Sequence, residues 1–130
     1  MRTEYSTDFA LVNSGSFRKN AVFEAGPISL MNIQESFPFN DNTLVLKMSG
    51  AIFKEALEWS VSKYPAEEGR FPQVSNLQFT FDPEKPEGQR IDSHEIVTKA
   101  GGNFDLHRQY TVAVPIFIAE GGDGYQMFTR

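Results

Sequence analysis

Residues 110–125 read YTVAVPIFIAEGGDGY, a strand pattern that leads into a glycine-rich turn. The residues Tyr110–Val114 are apolar or β-branched and predict a buried strand. Pro115 cannot donate a ladder hydrogen bond, so the strand is expected to end there. Phe117 follows, and three glycines then occur within four residues, which lets the backbone take positive φ and approach a partner closely. Asp123 lies among those glycines, and its carboxylate is therefore expected on a tight turn beside an aromatic ring.

This turn has two interpretations. A ring that can stack and a carboxylate that accepts hydrogen bonds suit a polar, planar ligand such as a nucleoside. A purely structural turn between two strands explains the same residues and is the simpler interpretation when they are taken alone. The choice between the two depends on the rest of the chain.

The remaining elements predict an α+β domain in which a mixed β-sheet packs against helices. Phe9–Asn13 is a short apolar run that is expected to form a buried strand. Thr43–Met48 is rich in branched residues and is expected to form another strand. Ser49 is a suitable N-cap for a helix that is expected to run to Tyr64 and to end before Pro65.

The helix predicted over residues 49–64 has one apolar face, because its apolar residues recur three and four positions apart. That face comprises Ile52, Phe53, Ala56, Leu57, Ser60, Val61 and Tyr64. The polar side comprises Lys54, Glu55, Glu58 and Lys63. We expect the apolar face to belong to the core rather than to a partner surface.

Other segments add a second helix and a pair of strands. Ile28–Glu35 is expected to be a short helix that stops at Pro38, which disfavours helical geometry in the residue before it. Val74–Phe81 alternates apolar and polar residues, and is expected to pair with Arg90–Lys99 as two strands. Residues 100–108 have little pattern and are expected to form a loop.

Length and composition exclude several classes of protein. With 130 residues and no internal repeat or linker, the chain is expected to form one domain, residues 1–130. A net charge of −5, with no run of Lys or Arg, argues against binding to a nucleic-acid backbone. The chain has no cysteine, which excludes disulfides and zinc-thiolate sites. No apolar run approaches the roughly 18 residues of a membrane span.

The sequence contains no recognisable catalytic apparatus. The two histidines, His94 and His107, lie outside ligand-spaced motifs and are expected to be solvated. Two histidines and scattered acids cannot assemble a usual two-metal phosphoesterase centre. A serine nucleophile elbow is also missing.

Two loops offer further candidate ligand groups. Residues 13–18 follow a predicted buried strand, at the carboxyl end where ligands often bind in α/β sheets. Arg18 in this loop offers a planar fork of donors suited to carboxylate or phosphate, although a solvated arginine is the simpler interpretation. Phe39 lies on an irregular segment beside Pro38, where a ring need not belong to the core, although the core is the default position of a phenylalanine.

Four segments, taken in order, resemble the C-terminal domain of the 5′-nucleotidase family, which also includes UDP-sugar hydrolases and cyclic-nucleotide phosphodiesterases. They are residues 8–18 (DFALVNSGSFR), residues 37–40 (FPFN), residues 48–50 (MSG) leading into 57–58 (LE), and residues 117–125 (FIAEGGDGY). The resemblance extends over nearly the whole chain. The first segment is weak by itself, but the combination at these separations is specific.

The resemblance implies a nucleotide or nucleoside ligand and a role for each candidate residue. Phe39 and Phe117 would clamp the nucleobase, and Asp123 would bind the ribose hydroxyls. Asn13 and Arg18 would complete the site, with Arg18 contacting the base edge, the sugar or a phosphate. Because Asp123 is expected to be exposed, its replacement by alanine is expected to leave folding intact.

The resemblance also implies a partner. In the family the hydrolytic centre, a pair of divalent metal ions such as zinc, lies in a separate N-terminal metallophosphoesterase domain. Neither that domain nor the helix that precedes the first strand in the family is found in this sequence, and no cofactor is expected in this chain. The chain therefore looks like the substrate-recognition part of a nucleotide hydrolase, and family members are periplasmic, cell-surface or extracellular.

Two alternatives remain at this stage. The chain could be a nucleoside-binding module that never works with a catalytic domain, in which case the same residues would still bind a ligand. It could instead be a structural or interaction domain, in which both phenylalanine rings belong to the core. Burial of either ring would favour the structural alternative.

Overall fold

The structure is a computed structural model that describes residues 1–99 and 102–130. The centre of the protein is a four-stranded mixed sheet. The described residues form six strands: β1 (Phe9–Asn13), β2 (Thr43–Ser49), β3 (Pro72–Ser75), β4 (Leu77–Gln78), β5 (Val97–Thr98) and β6 (Gln109–Pro115). The main sheet has the order β2-β6-β1-β3, and β4 pairs with β5 in a small separate sheet. β1 is parallel to β6, whereas the other pairs are antiparallel. The predicted mixed sheet is confirmed.

In the part of the chain that the structure describes, three α-helices accompany the sheets: α1 (Leu30–Ser36), α2 (Gly50–Ser60) and α3 (Ile116–Ala119). The Ser49 side chain accepts a hydrogen bond from the backbone N–H of Ile52 and caps α2, as predicted. Ser29 caps α1 through a reciprocal pair of hydrogen bonds with Asn32, so this helix begins two residues later than the sequence predicts. None of the helices in the described part of the chain is long and apolar enough to cross a membrane.

The C-terminal end of α2 differs from the prediction. The helix ends at Ser60, so its expected continuation to Tyr64 is wrong. The guanidinium of Arg90 donates hydrogen bonds to the carbonyl oxygens of Val61 at 2.6 Å and Tyr64 at 3.2 Å. These carbonyls lie where a continued helix would use them for its own ladder. A residue far along the chain therefore binds the segment that directly follows the helix.

Aromatic rings dominate the core between α2 and the sheet. Phe9 of β1 stacks on Phe53 of α2 with ring centroids 5.3 Å apart and an interplanar angle of 3°. Phe104 stacks on Tyr110 of β6 with centroids 5.1 Å apart and an angle of 6°. All four rings are buried. Such pairs add stacking energy to the burial of their large apolar areas, so this cluster holds the helix to the sheet.

Glu58 corrects the predicted polar face of α2. It was expected on the solvent side, but its residue is only 5% exposed. One carboxylate oxygen accepts from the backbone N–H of Arg90 at 2.9 Å, and the other accepts from Ile91 at the same distance. Lys54 adds an ion pair at 3.0 Å. The buried charge is tolerated because hydrogen bonds and a counter-ion replace its lost hydration.

The predicted pair of long strands at 74–81 and 90–99 is also wrong in extent. Asn76 takes a left-handed φ of 66°, which divides the first strand into β3 and β4. Its side-chain amide donates to the carbonyl of Asp8 at 2.9 Å, a bond that stabilises this conformation. Only Val97–Thr98 of the second predicted strand pairs with β4. Of the predicted loop over 100–108, residues 100 and 101 lie outside the described residues.

Candidate functional site

The sheet topology brings four loop segments to one edge. Because β1 and β6 are parallel, Asn13 and Pro115 end their strands at the same edge. β2 and β3 run in the opposite direction, so they begin there, with Thr43 opposite Pro115 and Pro72 opposite Asn13. The segments after β1 and β6 and before β2 and β3 therefore meet. Loops at such an edge commonly form ligand sites.

These segments enclose a cavity of about 280 Å³. It is lined by Asn13, Gly15, Ser16, Arg18, Phe39, Asp41, Gly69, Phe117 and Asp123. All five residues that the sequence singled out as candidates are in this set. The sequence reasoning missed Asp41 and Gly69 as site residues. Asp41 directly follows the proline-bearing turn at 37–40 that carries Phe39. This position in the sequence could have indicated Asp41 as a site residue.

The two candidate rings are accessible at the cavity. Phe39 is 53% exposed and lies on the irregular segment before β2. Phe117 is 47% exposed and lies in α3, directly after the end of β6. The guanidinium carbon of Arg18 is 5.6 Å from the centre of the Phe39 ring. The structural alternative expected both rings to belong to the core. Neither ring belongs to the aromatic core, so this expectation is wrong.

Asn13 holds Asp123 at the cavity. The Asn13 residue is only 3% exposed, and its side-chain N–H donates to Oδ2 of Asp123 at 2.6 Å. The side-chain oxygen Oδ1 of Asn13 accepts from the hydroxyl of Ser16 at 2.7 Å. Within the part of the chain that the structure describes, no donor reaches Oδ1 of Asp123. Asn13 thus orients the acid, and one carboxylate oxygen is left for another donor.

The backbone at Asp123 is unusual for a residue with a side chain. Its φ of 52° and ψ of 18° are left-handed, a conformation that non-glycine residues adopt rarely, although aspartate and asparagine adopt it more readily than the others. Glycines on both sides relieve the crowding, since Gly121 and Gly124 have φ of 89° and 83°. A Cβ at Gly122 would lie 2.6 Å from the ring of Phe117, so the turn packs directly against that ring.

The turn is followed by further helical turns and not by a strand. Residues Gly122–Gly124 and Gln126–Thr129 form short 3-10 turns. The interpretation of the glycine segment as a link between two strands is therefore wrong. Asp123 is also half-buried and hydrogen-bonded, which contradicts the expectation of a freely exposed acid.

The loop after β1 is docked on the segment before β3. The backbone N–H groups of Ser14 and Gly15 donate to the carbonyls of Phe71 at 2.7 Å and Gly69 at 2.9 Å. A Cβ at Gly15 would lie 3.1 Å from the Cα of Gly69, so the two backbones are in close contact. The backbone N–H of Arg18 donates to the carbonyl of Ser36 at 3.0 Å, which links the same loop to α1.

The described residues offer no ligand set for a metal pair. No group of three or more His, Cys, Asp or Glu side chains in ranges 1–99 and 102–130 is arranged to hold a metal ion. His94 and His107 line a separate cavity of about 440 Å³, together with Phe104 and Asp105. A hydrolytic metal centre does not fit the residues described in this chain.

The fold and the cavity define an α+β domain with a loop-built pocket at one edge of its sheet, and comparison with known proteins identifies the family. The whole chain, residues 1–130, matches the family model of the 5′-nucleotidase C-terminal domain, and the chain belongs to this family. The predicted resemblance is confirmed.

Individual relatives agree with this assignment. The crystal structure of a 5′-nucleotidase precursor from Thermus thermophilus is similar with a TM-score of 0.88 and 36% identity, over 99% of this chain and 25% of that one. The trifunctional nucleotide phosphoesterase protein YfkN of Bacillus subtilis is 33% identical over 93% of this chain and 8% of its own length. The human 5′-nucleotidase is 31% identical over 78% of this chain and 19% of its own length. The chain thus spans a quarter or less of these three relatives.

Proposed function

We propose that this chain is the substrate-recognition part of a 5′-nucleotidase-type hydrolase and that it binds the nucleoside portion of a nucleotide. Phe39 and Phe117 stack on the base, and Asp123 accepts hydrogen bonds from the ribose hydroxyls. The observation that carries this proposal is the convergence of five candidate residues, spread from Asn13 to Asp123 along the chain, on one cavity of about 280 Å³.

The exposed rings suit a base of any identity. Stacking of a nucleobase on an aromatic side chain contributes about 1–3 kcal/mol and tolerates all bases, because every base has a π-face. Phe39 and Phe117 are each about half exposed, so a ligand gains contact area without first displacing a core neighbour. Base preference then depends on polar groups at the rim, of which Arg18 is the candidate donor.

The charge of the cavity favours the nucleoside over the phosphate. Among the described residues that line it are one cation, Arg18, and two acids, Asp41 and Asp123. A phosphate would meet net negative charge here, whereas ribose hydroxyls can donate to a carboxylate. The phosphate ester is thus expected to point out of the cavity, and a contact of Arg18 with it is the alternative to a contact with the base edge.

Hydrolysis requires groups beyond the described residues. We assign it to a metallophosphoesterase domain in a longer protein, with a divalent metal pair such as zinc. Such a pair stabilises phosphoryl charge and activates water. A location outside the cytoplasm is part of the same proposal, because the relatives include a snake venom 5′-nucleotidase of Macrovipera lebetinus, 31% identical over 90% of this chain.

The proposal is tested by calorimetric titration of the chain with adenosine and AMP. The wild-type chain is expected to bind both, and Phe117→Ala is expected to weaken binding by about 1–3 kcal/mol, or roughly five- to 150-fold. Phe23→Ala is the matched control, because Phe23 is 45% exposed and outside the cavity lining. Absence of wild-type binding, or equal effects of the two substitutions, would contradict the proposal.

A further inference from the structure

Trp59 connects the main helix to the acid of the candidate site. It is the single tryptophan of the sequence and lies near the end of α2. Its indole N–H donates to the backbone carbonyl of Asp123 at 2.9 Å, across 64 positions of the chain. Asp123 is therefore held at two points, through its carboxylate by Asn13 and through its carbonyl by Trp59.

The indole itself has little freedom to move. A Cβ at Gly124 would lie 2.4 Å from Cζ2 of Trp59, so the backbone of the turn is in direct contact with the ring. The guanidinium carbon of Arg70 is 4.2 Å from the centre of the ring. This distance indicates a cation–π contact. Tyr125, buried beyond the turn, donates its hydroxyl to the carbonyl of Arg70 at 2.6 Å. The ring is thus packed between the turn and a residue that is itself anchored.

The conformation of Asp123 makes this contact consequential. A left-handed φ of 52° is less favourable than a right-handed one even for aspartate, so the contacts around Asp123 help to hold it there. The backbone conformation at Asp123 sets the direction of its carboxylate. A small rotation at Asp123 would therefore move the carboxylate relative to the two rings that bind the base.

We infer that Trp59 is a positioning residue, which fixes the Asp123 carboxylate for the two ribose hydroxyls and so sets the preference for ribonucleosides over nucleosides without those hydroxyls. This inference rests on the proposed function, since it needs a nucleoside in the cavity. Trp59 is not in the cavity lining and acts only through Asp123. A tryptophan with a purely structural role would affect stability alone, or it would weaken the binding of every nucleoside to the same degree.

Calorimetry of the 130-residue chain with adenosine and with 2′,3′-dideoxyadenosine separates these roles. Trp59→Phe keeps an aromatic ring beneath Arg70 but removes the N–H donor. Wild type is expected to prefer adenosine. The variant is expected to bind adenosine roughly fivefold more weakly, the effect of one net hydrogen bond, and to bind dideoxyadenosine within about twofold of wild type.

Other outcomes would contradict the role of Trp59 or the proposed function. Equal weakening of both ligands, or a preserved preference for adenosine, would make Trp59 structural while the proposed function stands. If wild type binds neither nucleoside, the proposed function fails and this inference fails with it.

A second measurement needs no variant and applies if Trp59→Phe does not fold. The wild-type chain has a single indole N–H resonance, because it has one tryptophan. Adenosine is expected to shift this resonance in a proton–nitrogen correlation spectrum more than dideoxyadenosine does. Equal shifts with both ligands would overturn the inference.

Discussion

Phenylalanine rings occupy two contrasting regions of this molecule. Phe9 and Phe53 face each other between β1 and α2 and are almost completely buried, at 1% and 0% exposure. Phe39 and Phe117 lie beyond the ends of strands and are about half exposed. The residue type is the same, but the first pair has protein partners on its faces and the second has room for a ligand. Position relative to the strand end, more than residue type, separates a core ring from a candidate binding ring.

The largest expected difference follows from deleting one ring in each region. Phe53→Ala is expected to lower the free energy of unfolding by about 3–5 kcal/mol, because it removes a fully packed ring and leaves a cavity. Phe117→Ala is expected to cost less than about 1 kcal/mol of stability while it weakens nucleoside binding. Urea unfolding measures the first effect and calorimetry the second. Similar losses of stability in the two variants would remove the distinction between the regions.

Two glycines, one at the candidate site and one far from it, share a backbone conformation but differ in their surroundings. Gly124 has φ of 83° and contacts Trp59, whereas Gly88 has φ of 81° and open space around its missing Cβ. Both alanine substitutions incur the strain of a left-handed residue, about 1–2 kcal/mol. Gly124→Ala is expected to cost about 1–3 kcal/mol more, because the new methyl group displaces the indole. Equal unfolding midpoints would mean that the Trp59 contact does not constrain the turn.

Tyr125 is a core ring with a polar group, next to the turn of the candidate site. Burial raises the pKa of its phenol above the usual value. A raised folded-state pKa means that the contribution to stability is complete below the unfolded value near pH 10 and is lost as pH rises through the folded-state pKa. Above about pH 10 the wild-type free energy of unfolding should fall more steeply than that of Tyr125→Phe, by up to about 1.4 kcal/mol per pH unit.

Urea unfolding of both proteins between about pH 7 and pH 11 provides this test, since that range spans the unfolded-state pKa of tyrosine. Tyr125→Phe is expected to be less stable at neutral pH, because it loses the hydrogen bond to the carbonyl of Arg70. The difference between the two proteins should then shrink at alkaline pH. Parallel pH profiles would show that the phenol is not protected from ionisation in the folded protein.

The smallest expected effect concerns the acid of the site. Asp123→Ala removes the acceptor of the buried Asn13 amide and keeps a side chain at positive φ, so it should be less stable than Asp123→Asn by about 1 kcal/mol. Asparagine tolerates the left-handed conformation and retains an acceptor oxygen. Both variants should bind adenosine more weakly than wild type. Urea midpoints and calorimetry on the same samples check both statements, and equally stable variants would argue against the Asn13 contact.

Much of the fold was predictable because it depends on local pattern. The apolar runs at 9–13 and 110–114 predict strands that the structure contains, and Ser49 caps the helix that follows β2. The strand before Pro115 ends at that residue, and Phe39 lies on an irregular segment. These features follow from side-chain periodicity, proline geometry and capping, which act over a few residues.

The errors have a common physical cause. Glu58 was expected in solvent because its neighbours on the helix are polar, but backbone N–H groups 32 and 33 positions away bind it in the interior. The α2 helix was expected to continue to Tyr64, but it ends at Ser60, and Arg90 binds the carbonyls of Val61 and Tyr64 beyond that end. The strand at 74–81 is interrupted by Asn76, whose side chain bonds to Asp8. In each case a distant polar partner overrides the local pattern.

Local sequence patterns were sufficient to predict β1, β2, β6 and the start of α2, and the family motifs named the five candidate ligand residues. Only the tertiary structure decided that those residues meet, because the parallel pairing of β1 and β6 brings Asn13 within hydrogen-bonding distance of Asp123 across 110 positions of the chain. The contact from Trp59 to the same acid has no local signal either. Periodicity records how a residue relates to its own helix or strand, whereas hydrogen bonds between loops exist only once the sheet has aligned their ends.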